Sequence, residues 1–414
     1  MDQAKPQGMA AYIAVTAAYW AFMLSDGALR MLVLLHFHTL GFSPVQLAYL
    51  FLLYEFMGMV TNLSAGWIAA RFGLTSTLYA GLALQIVALA VLAQLNPAWG
   101  LWASVAFVMG VQGLSGVAKD LAKMSSKSAV KLLAPEGDGA LFRWVAVLTG
   151  SKNAVKGVGF LLGAVLLGVL GFVASIWAMA AVLAVILIAV AAFMPTGLPR
   201  GKKSAKFKEV FSKDRNINLL SAARMFLFGA RDVWFVVGIP VYFYAVLSDG
   251  THEGNRAAFF QIGTFMAFWI IAYGAVQAWA PKLLKAKDKP LAEMNTLAAT
   301  WVGLLALIPA ALALAALVGG TPQAWLTLTL IAGLMVFGFV FAVNSSLHSY
   351  LILAFTQKDR VTMDVGFYYM SNAAGRLLGT LLSGLSYQLG GVPACLGTAA
   401  VMAALSFLFV RRLS

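Results

Sequence analysis

The chain has 414 residues, 61% of them hydrophobic and 11% charged, with a formal net charge of +14. A water-soluble core of this length does not need so much apolar side chain, and the composition points to a polytopic membrane protein. A single cysteine, Cys395, excludes an internal disulfide framework and a thiolate cluster, and no metal or cofactor is expected.

Apolar runs of roughly 20 residues or more, enough to cross about 30 Å of hydrocarbon, recur along the chain. They predict an all-α membrane protein with twelve transmembrane helices, over 9–38, 44–70, 74–95, 98–130, 140–170, 172–194, 217–247, 257–284, 291–318, 323–355, 361–389 and 392–411. Several exceed the hydrocarbon thickness and must tilt or project into water. No small-residue processing site closes the first apolar run after "MDQAKPQG", so that run is expected to stay as a span.

The first helix carries "SDGALR", with Asp26 roughly 18 Å and Arg30 roughly 12 Å from its outer end at 1.5 Å per residue. His36 and His38 sit at that end, where His36 reads as an interfacial residue. Glu55 is deep in the second helix. In the fourth, "GVAKDLAKMSSKSAVK" spaces Lys119, Lys123, Lys127 and Lys131 four apart. Each step of four drifts only about 40° around a helix, so these ammonium groups share one face. Lys127 and Lys131 are expected in cytoplasmic water, whereas Lys119 and Lys123 reach the inner mouth of a cavity and would concentrate an anion there. Asp120 has both Lys119 and Lys123 as candidate partners. The fifth helix places Lys152 and Lys156 in its inner half.

The basic stretch 195–216, "PTGLPRGKKSAKFKEVFSKDRN", then divides the chain into two six-helix halves, 1–194 and 217–414. In the seventh helix, "GARDVW" puts Arg231 and Asp232 roughly 21–24 Å from either end. The tenth carries "NSSLHSY", where Asn344, Ser345, Ser346, His348 and Ser349 either hydrogen-bond a hydroxylated substrate or bind helices together. The eleventh offers similar chemistry in Tyr368, Tyr369, Ser371 and Asn372, and a central Arg376.

The loops after predicted helices 2, 4, 6, 8 and 10 hold nearly all the loop lysines and arginines, from Arg71 and Lys131 to Lys358 and Arg360, and the tail adds Arg411 and Arg412. Loops on the other side carry only Arg256. By the positive-inside rule both termini are cytoplasmic. Charge spread in this way among loops, without a recognition module, excludes a nucleic-acid partner. An enzyme would need a grouped nucleophile, base and stabiliser, and His36, His38, His252 and His348 are scattered.

Faint repeats link the halves. Gly159, Gly163 and Gly168 of the fifth helix share their spacings with Gly375, Gly379 and Gly384 of the eleventh. Two parallel six-helix halves are the pattern of major facilitator transporters. The loop "GWIAARFGLT" partly resembles that family's gating loop, keeping Gly66, Arg71 and Gly73 but placing Ala70 where a carboxylate is expected.

An ionisable residue near the bilayer centre costs about 2.5–3.5 kcal/mol and generally faces a partner or a wet cavity. Here Arg30, Lys152, Lys156, Arg231 and Arg376 outnumber Asp26, Glu55 and Asp232, so the buried excess is positive and suits an anion. Arginine stays charged and grips phosphate-like oxygens with paired donors, which makes Arg30, Arg231 and Arg376 the leading ligand candidates. A cationic-drug exporter would want the opposite sign. Asp26, Glu55, Asp120 and Asp232 serve either coupling or charge pairing.

Four stretches carry a narrower resemblance: "TAAYWAFMLSDGALRMLVLLHFHTLGFSPVQLAYLFLLYEFMGM", "GVAKDLAKMSSKSAVKLL", "LFRWVAVLTGSKNAVKGVGF" and "SAARMFLFGARDVWFVVG". They closely resemble the ArsJ organoarsenical efflux permeases. That resemblance implies export of 1-arseno-3-phosphoglycerate, formed when glyceraldehyde-3-phosphate dehydrogenase uses arsenate in place of phosphate. It makes the dehydrogenase a functional partner, and one chain holds a complete pathway, as expected of a monomer. Hard oxyanions at both ends of such a substrate suit Arg and Lys, whereas trivalent arsenic would favour thiolates. The alternative is an exporter or exchanger of another organophosphate or organic anion.

Overall fold

The computed structural model describes residues 4–133, 140–194, 212–284, 289–320, 323–356 and 361–414, with the backbone alone described at 4–12, 65–67, 69–71, 74, 127–133, 140–150 and 361–363. The described residues are helical almost throughout: α1 Ala4–Thr39, α2 Pro44–Phe72, α3 Leu74–Leu92, α4 Leu101–Leu133, α5 Ala140–Leu170, α6 Phe172–Phe193, α7 Arg215–Leu247, α8 His252–Leu283, α9 Leu291–Gly319, α10 Ala324–Phe355 and α11 Val361–Val410. Each of these 11 is long and apolar enough to cross a membrane. In hydrocarbon every backbone N–H and C=O must be satisfied internally, and the helix does this within one segment.

Two helices depart from regularity for legible reasons. In α7 the run Trp234–Gly238 forms a π-turn just before Pro240. Proline lacks the N–H that would reach Val236, and its ring crowds that carbonyl; the wider turn relieves both. Groups released from the ladder find side chains of α11. The N–H groups of Val237 and Gly238 both donate to Ser383 Oγ at 3.1 Å, and Cys395 Sγ donates to the Val233 carbonyl at 3.0 Å. The 50-residue α11 breaks at Gly390 and Gly391, the latter at φ 60°, a conformation open to glycine. Its arms, 361–389 and 392–410, meet the expected boundary between the last two helices.

The start of α8 lies five residues before the predicted 257, because Thr251 caps it by accepting from the Gly254 N–H at 3.0 Å. Elsewhere the predicted ends agree with the helices to within a turn or two.

Burial separates inner from outer helices. The most apolar window of α7 is 89% buried and that of α6 only 22%, so α7 is central and α6 faces lipid. In the first half α1 packs on α5, α2 and α3 on α4, and α3 on α6. In the second, α7 and α9 pack on α11, and α8 on α10. The halves meet chiefly where α5 packs on α8 and α2 on α11. The repeated glycines mediate these contacts. A Cβ on Gly159 or Gly163 would strike the α1 backbone at Leu24 and Ala28, and one on Gly375 or Gly379 would strike the α7 backbone at Met225 and Gly229. Close backbone approach of this kind is what small residues permit between membrane helices.

Candidate functional site

Ionisable side chains from α1, α2, α4, α5, α7 and α11 converge between the halves. Arg30 Nη1 donates to Glu55 Oε1 at 3.0 Å, and Arg376 Nη2 donates to the same oxygen at 2.6 Å. Arg376 Nε lies 3.4 Å from Asp232 Oδ2, an ion pair without hydrogen-bond geometry. Asp232 Oδ1 accepts from Arg231 Nε at 2.6 Å. Arg231 is also flanked by the rings of Phe228, Phe235 and Phe341, which offer their electron-rich faces to the cation.

A second group lies beside the first. Asp26 accepts from Lys156 Nζ at 2.9 Å and from the Tyr54 hydroxyl at 2.5 Å. Asp26 and Arg30 stand one helical turn apart but do not pair; each takes a partner from another helix instead. Lys119 is 7% exposed, and its ammonium rests 4.0 Å from the centre of the Tyr54 ring. It makes no ion pair among the described residues. Towards the end of the molecule that carries the termini, Asp120 accepts from Lys123 at 2.9 Å and from Thr61 at 2.6 Å, and Lys123 also donates to Asn62 Oδ1 at 2.6 Å. Of Asp120's two candidate partners, Lys123 is therefore the one it bonds.

Arg224 was not among the residues the sequence singled out. It is 4% exposed and donates to Asn372 Oδ1 at 3.2 Å and to the Ser345 carbonyl at 3.1 Å. Its signal was its spacing: seven residues before Arg231, two turns along one face of α7. Tyr54, beside Glu55, was missed as well.

Other expected residues are placed as follows. Lys152 is partly buried on α5, one turn before Lys156. Asn344 is fully buried and donates to the Val340 carbonyl, while Ser345 Oγ accepts from Gln277, so part of "NSSLHSY" joins helices. Tyr368 is buried and lies 5.0 Å from the Arg224 guanidinium. His36 stacks on Phe172 with centroids 3.9 Å apart, an aromatic contact at the end of α1. Gly73, at φ 82°, turns the chain between α2 and α3. The side chains at Gly66, Arg71, Lys127 and Lys131 lie outside the described residues.

Among the described residues, Arg30, Lys123, Lys156, Arg231 and Arg376 pair with Asp26, Glu55, Asp120 and Asp232, and Lys119 and Arg224 make no ion pair. The paired cations keep 11–18% of their side-chain surface accessible, although they lie within membrane-spanning helices.

The α2–α11 contact is close at the end opposite the termini. There Gly384 lies against the backbone of Pro44, and the Val45 N–H donates to Gln388 at 3.3 Å. Nearer the termini, a Cβ on Gly366 would meet, among the described residues, only the Asn62 carbonyl at 3.8 Å.

Ionisable side chains buried inside a bundle of membrane-crossing helices are the mark of a substrate or ion pathway, the class of membrane transport proteins. The sequence profile of the Major Facilitator Superfamily matches residues 12–352, and the chain belongs to that family. It is therefore a multi-pass membrane transporter. Among solved structures it is similar to a POT family transporter in complex with a thioalcohol-conjugated peptide, at 14% identity, covering 96% of this chain and 94% of that one with a TM-score of 0.74. A POT family transporter bound to 5-aminolevulinic acid aligns at 14% identity over 97% and 96% of the two chains, TM-score 0.71. The nucleoside transporter NupG aligns at 14% identity over 98% of each chain, TM-score 0.69. Likeness at this identity speaks to fold alone. No curated protein sequence matches.

Proposed function

We propose that the protein exports a small organic oxyanion by alternating access, and that its substrate is 1-arseno-3-phosphoglycerate, the ester implied by its resemblance to organoarsenical permeases. One observation carries the anion assignment. Arg30 and Arg376, from different halves, converge on a single oxygen of Glu55, while Arg30 Nη2 and Arg376 Nε are buried without a hydrogen-bond partner. Arg376 Nε faces Asp232 Oδ2 without bonding it, and buried guanidinium donors with unmade hydrogen bonds suit the lone pairs of a phosphate or arsenate ester.

On this reading Arg30, Arg231 and Arg376 hold one oxyanion, with Lys119, Lys123, Lys152 and Lys156 supplying positive field on the N-terminal side. Asn344, Tyr368 and Asn372 contribute polar contacts from the other half. Asp26, Glu55, Asp120 and Asp232 keep the cations in place when no substrate is bound. Two units, 1–194 and 217–414, rock about this site, joined by the linker 195–216. A continuous helix of 50 residues would run about 75 Å, more than twice the hydrocarbon thickness, so the arms of α11 each count as a span. That makes twelve spans, with both termini in the cytoplasm of a bacterial inner membrane, and Gly66, Arg71 and Gly73 at a cytoplasmic gate. One chain acts alone, and glyceraldehyde-3-phosphate dehydrogenase supplies the substrate. The broader reading, export of another organophosphate, draws on the same leftover donors, which recognise oxyanions whatever ester carries them.

The experiment uses inside-out vesicles supplied with arsenate, glyceraldehyde 3-phosphate, NAD and the dehydrogenase. Arsenic should accumulate only with the complete mixture. Accumulation from arsenate alone would contradict the ester, and competing uptake of other phosphate esters without arsenic accumulation would favour the broader reading.

A further inference from the structure

We propose that Arg224, with His348 and Asn372, forms a second oxyanion subsite in the C-terminal half, so that the transported anion carries two separated anionic groups. This rests on the anion-export reading above and adds a site that the central cluster does not include.

Arg224 is a buried charge without a counter-ion: no carboxylate pairs with it among the described residues. Its bonded partners, the Asn372 amide oxygen and the Ser345 carbonyl, are neutral, and the rings of Phe228 and Tyr368 lie 4.1 and 5.0 Å from its guanidinium. Removing an arginine from water without a compensating anion carries a penalty that neutral partners only partly offset. Its Nη2 donates to none of the described residues.

An independent observation lies on the adjoining helix. His348 is fully buried, and both its ring nitrogens lack a hydrogen-bond partner. Asn344 Oδ1 is unpartnered too. Buried polar atoms in native proteins nearly always find a partner. His348 follows Ser345 by three residues, on the same face of α10 as the carbonyl that receives Arg224. An unneutralised guanidinium beside unsatisfied imidazole nitrogens is the chemistry of a site for an anionic group with its own donor or acceptor oxygens.

The subsite adjoins the central cluster. The Tyr368 and Tyr369 rings are 5.6 Å apart, with Arg224 over the first and Lys123 5.8 Å from the second. A small molecule between the halves therefore passes an aromatic wall with a cation at each side.

The test compares two probes on the full-length protein in detergent: 3-phosphonopropionate, with an oxyanion at each end, and propylphosphonate, the same chain with one. Wild type should prefer the first, and Arg224→Gln should collapse that preference by about ten- to a hundredfold, the worth of a charged hydrogen bond. Arg376→Gln should weaken both probes and keep their ratio. Where Arg224→Gln does not fold, Arg224→Lys, which keeps the charge and loses the fork, should lower the same ratio. No preference in wild type, or a ratio untouched by the Arg224 variants, would overturn the subsite while leaving the anion site standing. Binding of neither probe by folded wild type would overturn both.

Discussion

Glu55 of α2 and Arg376 of α11 lie 2.6 Å apart, and this ion pair joins the two halves of the chain through an oxygen that also accepts from Arg30. Alternating access requires the halves to move against each other, so this contact cannot persist unchanged through a transport cycle. On the proposed reading, an entering oxyanion would offer both guanidinium groups a substitute partner at that moment.

Glu55→Gln keeps the shape of the side chain and removes its charge. Two buried arginines then lose their shared carboxylate, a loss of about 3–5 kcal/mol when a buried pair is broken. The melting temperature should fall in buffer free of polyvalent anions and recover on addition of a phosphonate. A fall that no anion reverses would place Glu55 in a purely structural role.

Tyr54→Phe retains the ring beneath Lys119 and removes the hydroxyl that donates to Asp26. A hydrogen bond to a charged acceptor contributes about 1.5–3 kcal/mol, so thermal unfolding should shift by that order. Because Lys156 still holds Asp26, competition binding of the two phosphonates should keep the wild-type order of preference.

Gly384→Ala tests the contact between halves at the end opposite the termini. The new methyl group would meet the Pro44 backbone and, at 2.7 Å, the Ala48 side chain, so α2 and α11 must separate there. In a Cys395→Ser background, Val45→Cys and Gln388→Cys should form a disulfide readily with Gly384 present and slowly with alanine. Equal rates would show that the approach of these helices does not depend on the missing Cβ.

Ser383 and Cys395 both bond the α7 π-turn, yet they should behave differently. Cys395→Ser preserves a donor to the Val233 carbonyl and should be nearly neutral. Ser383→Ala removes the side-chain oxygen that accepts from the Val237 and Gly238 N–H groups, at about 1–3 kcal/mol in all. Unfolding curves of the two variants, measured side by side, check that order.

Much of this is legible in the sequence alone. Runs of apolar residues fix where helices form, since hydrocarbon leaves the backbone few alternatives; the first ten of the twelve expected spans fall on α1 to α10, and the last two fall on the arms of the single kinked α11. The charged centre was legible through cost: Arg30, Glu55, Arg231 and Arg376 are too deep to reach water unaided. Partnership was not legible, because it is set by helix packing rather than by spacing along one helix. Asp26 stands one turn from Arg30 and yet bonds Lys156, 130 residues away. Arg224 escaped notice because it lies nine residues into α7, near the end that sequence assigns to the aqueous boundary. Pro240 marks the π-turn, but only the structure shows Ser383 and Cys395 completing it.

The cluster around Arg376 is proposed to carry an anion, and sign is the property to measure. Wild type and Arg376→Gln, reconstituted in parallel and checked for equal insertion, would be assayed for uptake of 3-phosphonopropionate and of tetraethylammonium. Anion uptake by wild type that falls about ten- to a hundredfold in the variant, with no cation uptake by either, is the expected result. Cation uptake that survives or rises in Arg376→Gln, with no anion transported by wild type, would contradict it.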